Sequence, residues 1–152
     1  MLPGARALPG PPVPGIGRRM MSMLYESLLA SAIAFLAAWV FYWISGAHPS
    51  AAERHGFQVY LFAVLGVYFV ACWSHGGRTL PMQTWKMRVM RENGQPVGPA
   101  RALLRYLLAW PSLLLCVGLV WALVDRDRQF LHDRLAGTRI VFCDEAATRL
   151  AR

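Results

Sequence analysis

Acidic side chains are scarce in this chain, and lysine is almost absent. Of its 152 residues, eight are Asp or Glu and sixteen are Lys or Arg, with Lys86 the one lysine among them. In a water-soluble protein the formal net charge of +8 would suggest nucleic-acid binding. Here the basic residues stand beside apolar segments, as the positive-inside rule and attraction to anionic headgroups predict. We therefore expect no nucleic-acid partner.

Cysteine pairs and catalytic motifs are also lacking. Cys72, Cys116 and Cys143 form no CxxC pair, and two of them lie within apolar runs, which argues against a disulfide framework. The sequence has no nucleophile elbow, phosphate-binding loop or dinucleotide fingerprint. The three histidines before residue 100 have no spacing that would hold zinc. We predict that the protein is not an enzyme and holds no cofactor or metal.

Apolar sequence is what the chain has in excess. Hydrophobic residues make up 56% of it, above the roughly 45–50% of ordinary globular proteins. Two runs, at about 20–44 and 57–74, are long enough as helices to cross a hydrocarbon core of about 30 Å. A third run, 102–124, contains Pro111 near its middle. The sequence predicts an all-α membrane protein with two transmembrane helices and a third apolar segment broken by proline.

One acidic residue, Glu26, lies within the first run. An ionisable side chain at membrane depth is costly, so it usually has a function or a partner. Small residues follow Glu26 on the same helical face at every fourth position, which allows another helix to approach closely. We expect this face to place Glu26 at a helix–helix contact; its small residues are Ala30, Ala34 and Ala38.

A short β element is predicted beside the membrane. Residues 85–91 alternate apolar and basic side chains, which is typical of a strand, and the turn-forming pair Asn93-Gly94 follows them. Residues 138–143 resemble a second strand. If both lie on the cytoplasmic side, they can pair as a small two-strand element.

The domain limits follow from composition. Residues 1–17 contain five prolines and four glycines, so we predict a disordered tail. The membrane domain is predicted over residues 18–143, and residues 144–152 form a polar C-terminal tail.

The charge pattern leaves two topologies open. Arg18 and Arg19 place the N-terminus in the cytoplasm and the basic segment 75–105 on the same side. If 102–124 crosses the membrane once, the arginines that follow it lie outside, against the positive-inside rule. A re-entrant hairpin broken at Pro111 keeps them inside, and we favour it. A single span is the alternative.

These segments resemble the RDD family of small integral membrane proteins. The resemblance covers about residues 17–141 and starts with Arg18-Arg19 before a helix that contains an acid. Its central stretch is GGRTLPMQTWKMRV, which contains Arg78. One departure is Glu26, since the family has aspartate there and the glutamate carboxylate reaches one methylene further. The most specific stretch is LVDRDRQFLHDRLAGTRIV, with Asp125, His132, Asp133, Arg134 and Gly137 in the family order.

The resemblance implies a role in transport, and some members look like cation/proton antiporters. We therefore expect a multi-pass protein of a bacterial cytoplasmic (inner) membrane that uses a membrane-embedded carboxylate. Such a protein contacts the lipid bilayer and forms a homo-oligomer or binds a membrane-protein partner. The alternative is a non-catalytic scaffold or accessory subunit that binds another membrane protein.

Charged residues supply the candidate ion or proton site. Glu26 either exchanges a proton or cation, or forms a structural ion pair with Arg19, Arg78 or Arg105. Asp133 and its neighbours either form a gate at the inner surface or a salt-bridge and capping network. His132 either senses pH or is solvated or hydrogen-bonded. The full candidate set is Arg18, Arg19, Glu26, Arg78, Arg105, Asp125, His132, Asp133 and Arg134.

Overall fold

The fold is mostly helical, with one small antiparallel sheet. The computed structural model describes residues 14–45, 50–114, 121 and 129–143. Within these ranges the elements follow the order α1, α2, α3, β1, α4, α5, β2. Their bounds are Ile16–Ser45, Ala51–Ser74, Leu80–Thr84, Met87–Arg91, Pro99–Leu114, Leu131–Leu135 and Thr138–Phe142.

The two predicted spans are confirmed as long apolar helices. At 30 and 24 residues, α1 and α2 are both long and apolar enough to cross a membrane. Their outward side chains remain exposed in the isolated chain, for example Phe35 at 72% and Val67 at 70%, as lipid-facing residues should be. The helix α1 begins at Ile16 and so includes the last two residues of the predicted N-terminal tail.

The helix α2 starts six residues earlier than the apolar run suggests. Ser50 and Glu53 form a capping box, in which the Ser50 hydroxyl accepts from the Glu53 amide and the Glu53 carboxylate accepts from the Ser50 amide. These two bonds satisfy backbone donors that a helix start otherwise leaves unpaired. Residues 51–56 therefore belong to α2 although they precede the apolar run.

The helices α1 and α2 pack through aromatic and small residues. The Phe41 ring lies 5.1 Å from the Phe57 ring and 5.6 Å from the Tyr60 ring between centroids. Ala37 is buried in α1, while Leu36 beside it is exposed. The alanines at every fourth position after Glu26 are half-buried; they are Ala30, Ala34 and Ala38.

The predicted pair of strands is also present. The strand β1 pairs with β2 in antiparallel register, with Met87 opposite Phe142 and Arg91 opposite Thr138. The turn between α2 and α3 contains Gly77, whose φ is +69°. The Gly77 carbonyl accepts a 2.6 Å hydrogen bond from the Val89 amide and so joins this turn to β1. The main core lies where this sheet meets the helix ends; it comprises Trp73, Met82, Met87, Val89, Val97, Ala102, Tyr106 and Ile140.

The prediction that Pro111 breaks the third apolar segment is wrong. The helix α4 continues through Pro111 to Leu114. Its amphipathic face packs on α2, where the Tyr106 hydroxyl donates 2.8 Å to the Phe62 carbonyl and the Trp110 ring lies 5.5 Å from the Phe62 ring. These contacts with α2 just before Pro111 offset the usual cost of a proline inside a helix.

Candidate functional site

The Glu26 carboxylate faces a neutral partner. Thr79, which is fully buried, donates a 2.6 Å hydrogen bond from its hydroxyl to Glu26 Oε2. This length is typical of a hydroxyl bound to a carboxylate. Within the described part of the chain, Glu26 forms no salt bridge, and its Oε1 atom is buried without a hydrogen-bond donor. The carboxylate is therefore held in place without being paired to a cation.

The local fold explains why Thr79 is available. Thr79 occupies the N-cap of α3, where a threonine hydroxyl ordinarily accepts a backbone hydrogen bond. Here its side chain makes no capping bond. Pro81 at the start of this short helix has no amide hydrogen, so one backbone donor that could bond to the Thr79 oxygen is missing.

Arg105 and Asp133 form a second, ionic part of the site. Both side chains are buried, and Asp133 Oδ1 accepts from Arg105 Nε and Nη2 at 2.7 Å each. The Arg105 guanidinium also lies over the Trp73 ring, 4.3 Å from its centroid. Besides this pair and the cation–π contact, Arg105 interacts electrostatically with Glu26. One guanidinium is thus shared between a bonded carboxylate on α5 and a more distant one on α1.

His132 is enclosed on the other side of Asp133. Its ring stacks on Phe130, with centroids 5.5 Å apart and planes inclined by 3°, and its Nδ1 lies 3.3 Å from the Ser112 hydroxyl. The Nε2 atom is 3.7 Å from Asp133 Oδ1. Burial lowers the pKa of His132; the Asp133 carboxylate opposes this shift and the Arg105 cation adds to it. The imidazole is therefore held neutral near physiological pH, and it is hydrogen-bonded rather than solvated.

The remaining predicted residues lie around this cluster and not within it. The Arg18 guanidinium lies over the Phe142 ring at 5.3 Å, and buried Arg19 donates 3.4 Å to the Ile140 carbonyl. Arg78 contacts the Cys143 sulfur at 3.8 Å, whereas Asp133 pairs with Arg105. Arg134 is exposed on α5. Asp125 lies outside the described residues.

Three participants were missed by reasoning from sequence alone. Thr79, Trp73 and Ser112 supply the hydroxyl, the aromatic face and the imidazole contact. Buried threonine, serine and tryptophan are too common in apolar sequence to stand out. The one available signal is that Thr79 directly follows Arg78 in the central stretch that resembles the family. Among the described residues, no group of three His, Cys, Asp or Glu side chains could hold a metal ion.

Comparison with known proteins gives a matching family and a similar protein. The sequence profile described as "RDD family" matches residues 13–137. The chain belongs to the RDD family. An "Uncharacterized protein" of Haemophilus influenzae is 34% identical to this RDD protein over 128 residues, which cover 80% of the chain and 77% of the relative. No solved structure matches the chain.

The match includes the whole polar cluster of this RDD protein. Glu26, Thr79, Arg105 and Asp133 all lie within residues 13–137. The resemblance already noted puts an aspartate where this chain has Glu26. A glutamate is one methylene longer, and its Oε2 reaches the Thr79 hydroxyl at 2.6 Å.

Proposed function

We propose that the protein is a small multi-pass membrane transporter in which Glu26 binds and releases a proton or a monovalent cation. One observation supports this role over a structural ion pair: the direct partner of Glu26 is the neutral Thr79 hydroxyl. A hydroxyl can donate to an ionised carboxylate and accept from a protonated one. Loading and unloading Glu26 therefore breaks no salt bridge.

The neighbouring ion pair gives the site its electrostatic character. Arg105 is neutralised locally by Asp133, with both Nε and Nη2 bound to Oδ1. Its remaining attraction for Glu26 acts over a longer distance. The net effect is a carboxylate that keeps affinity for a small cation without a fixed counter-ion.

The proposed topology has the N-terminus, the sheet and the C-terminal segment in the cytoplasm. Two contacts support re-entry of the third apolar segment over a single span. Asp133 is bound to Arg105 near the start of α4, and β2 is paired with β1, which precedes α4. We therefore favour a third apolar segment that enters and leaves the membrane on the same side. A re-entrant segment is tolerated in lipid only where protein surrounds it.

A pathway through so few helices requires more than one copy. In the described part of the chain, two long helices and a shorter third one cannot enclose a polar channel, so the proposal includes a homo-oligomer in the bacterial inner membrane. The exposed apolar faces of α1 and α2 supply the surface for lipid and for neighbouring subunits.

The test measures cation-driven proton flux in proteoliposomes. The purified protein is reconstituted with a pH dye inside, and Na⁺ or K⁺ is added outside. Glu26→Gln keeps the shape and the Thr79 contact but removes the charge, so flux should fall to the level of protein-free liposomes. Glu92→Gln, at an exposed position after β1, is the matched control and should leave flux unchanged. Wild-type flux in the Glu26→Gln variant contradicts the proposal.

One observation favours the alternative role as an accessory subunit. The polar cluster joins α1, α3, α4 and α5 at one end of the helices, as a rigid support for another protein would require. That role expects a stoichiometric partner to copurify in mild detergent. A homomer with cation flux argues against it.

A further inference from the structure

A groove runs along the lipid-facing side of the molecule between α2 and α4. Its volume is about 570 Å³, within the range of ligand-binding cavities. Residues one helical turn apart line both walls, for example Ala63 and Val67 on α2 and Pro99 and Leu103 on α4. The lining is apolar except at one end, where Ser74 and His75 lie.

The length of the groove corresponds to one leaflet. From Phe62 to Ser74 the α2 helix rises about 18 Å, and half of a hydrocarbon core is about 15 Å. The groove thus starts near the middle of α2 and ends at the surface where the sheet lies. A ligand that fills it must be apolar over one leaflet depth and polar at that surface.

The volume of the groove is smaller than that of a full helix. A helix about 10 Å across and 18 Å long occupies roughly 1,400 Å³, more than twice the cavity. An acyl chain is one methylene wide, about 4 Å by carbon–carbon contact, and fits. Small side chains keep the groove open at its floor; they include Ala63, Gly66 and Ala71.

The polar end carries positive charge. The Arg91 guanidinium lies beside Gly98, since a β-carbon there would be 3.3 Å from Arg91 Nη2, and Gly98 directly precedes the groove residue Pro99. The first turn of α4 contains no acid, and a helix N-terminus attracts anions. At this end the Ser74 hydroxyl and the His75 Nδ1 each donate to a carbonyl of α2.

We propose that this groove binds one acyl chain of an anionic phospholipid, with the lipid phosphate at the start of α4 beside Arg91. The site is separate from Glu26 and does not depend on the proposed transport function. It makes the lipid a bound component of the protein and not only its solvent.

The experiment is native mass spectrometry of the full chain in mild detergent with added phosphatidylglycerol or phosphatidylcholine. The wild-type chain should retain one phosphatidylglycerol and bind phosphatidylcholine roughly fivefold more weakly, the factor expected from one cation near the headgroup. Arg91→Gln should remove this preference, whereas Arg88→Gln, on the opposite face of β1, should keep it.

Filling the groove tests the acyl-chain contact. Val67 is 70% exposed, so Val67→Phe can fold while its ring occupies the groove, and it should abolish lipid retention. Ala32→Phe, at an exposed position on α1, is the matched control and should retain lipid. Equal binding of the two lipids by the wild type, or retention by Val67→Phe, overturns the proposal. A dimer without lipid that Val67→Phe dissociates overturns it as well, because a second copy then fills the groove.

Discussion

The two carboxylates of the cluster have different partners, and this difference separates their roles. Asp133 is bound to a buried guanidinium, whereas Glu26 is bound to the Thr79 hydroxyl. A buried ion pair that loses one member leaves an uncompensated charge. A carboxylate with a hydroxyl partner has no such penalty when it gains a proton. Asp133 therefore suits a structural role and Glu26 a reversible one.

Thr79 should contribute measurably to stability. Its hydroxyl donates to Glu26 Oε2 at 2.6 Å from a fully buried position, and a hydrogen bond to a charged group is worth about 1.5–3 kcal/mol. Thr79→Val keeps the shape and removes the donor, so it should lower stability by about that amount in detergent unfolding experiments. Thr79→Ser keeps the hydroxyl and should lose less. Equal losses in the two variants would show that packing, and not this bond, is responsible.

His132 should make the protein less stable in acid. Its pKa is lowered in the folded state, mainly by burial, whereas in the unfolded chain it is about 6.5. As the pH falls below about 6.5, the unfolded state takes up the proton first, so stability decreases by up to about 1.4 kcal/mol per pH unit. Above that range His132 contributes no pH dependence.

The measurement is thermal unfolding between pH 8 and pH 5. His132→Gln removes the titrating group, so its stability should decline less between pH 7 and pH 5 than that of the wild type. His55→Gln, at an exposed position on α2, should retain the wild-type decline. Parallel curves for wild type and His132→Gln would contradict the assignment.

At the scale of elements, short segments position the site between long helices. The helices α3 and α5 have five residues each, yet Thr79 stands at the N-cap position of α3 and α5 contains His132 and Asp133. Helices this short are not stable alone. They are fixed by the strands that follow them, since α3 leads into β1 and α5 into β2. The sheet therefore determines where the site residues lie.

The turn at Gly77 should be more sensitive to substitution than the turn at Gly94. Both glycines have positive φ, at +69° and +79°, which costs an alanine about 1–2 kcal/mol. A β-carbon at Gly77 would also lie 2.6 Å from the Val89 carbonyl oxygen, whereas at Gly94 it meets nothing within 4 Å. Gly77→Ala should therefore destabilise the protein by more than Gly94→Ala in thermal unfolding. A loss of equal size would mean that Val89 shifts freely.

How much the sequence predicts depends on whether a feature is local. The two spans, the strand before Asn93-Gly94 and the second strand follow from hydropathy and alternation over a few residues. The continuation of α4 through Pro111 does not, because it depends on contacts with α2. The same holds for the site: an acid at membrane depth identifies Glu26, but only the tertiary fold brings Thr79 to it from 53 residues away.

At the scale of the whole molecule, the sheet constrains the topology. Because β1 and β2 are hydrogen-bonded to each other, the segment between α2 and α4 and the segment after α5 must lie on one side of the membrane. The loop before α2 lies at the other end of that helix. In the proposed topology, the sheet and α5 therefore face one aqueous phase and the start of α2 faces the other.

Cysteine labelling in intact cells tests this arrangement. In a chain whose native cysteines are replaced, Gly56→Cys should react with a membrane-impermeant maleimide from outside. Glu92→Cys and Leu135→Cys, both at exposed positions, should react only after the cells are permeabilised. Reaction of Leu135→Cys in intact cells would support a single span for the third segment and contradict re-entry.

The hydrogen bond from Arg19 to the Ile140 carbonyl joins positions 121 residues apart. Its two ends leave the ribosome at nearly opposite times of synthesis. During that interval the first span is already in the bilayer while its buried arginine lacks this acceptor. The contact between Arg19 and Ile140 therefore forms only after β2 has been made, late in the synthesis of the chain.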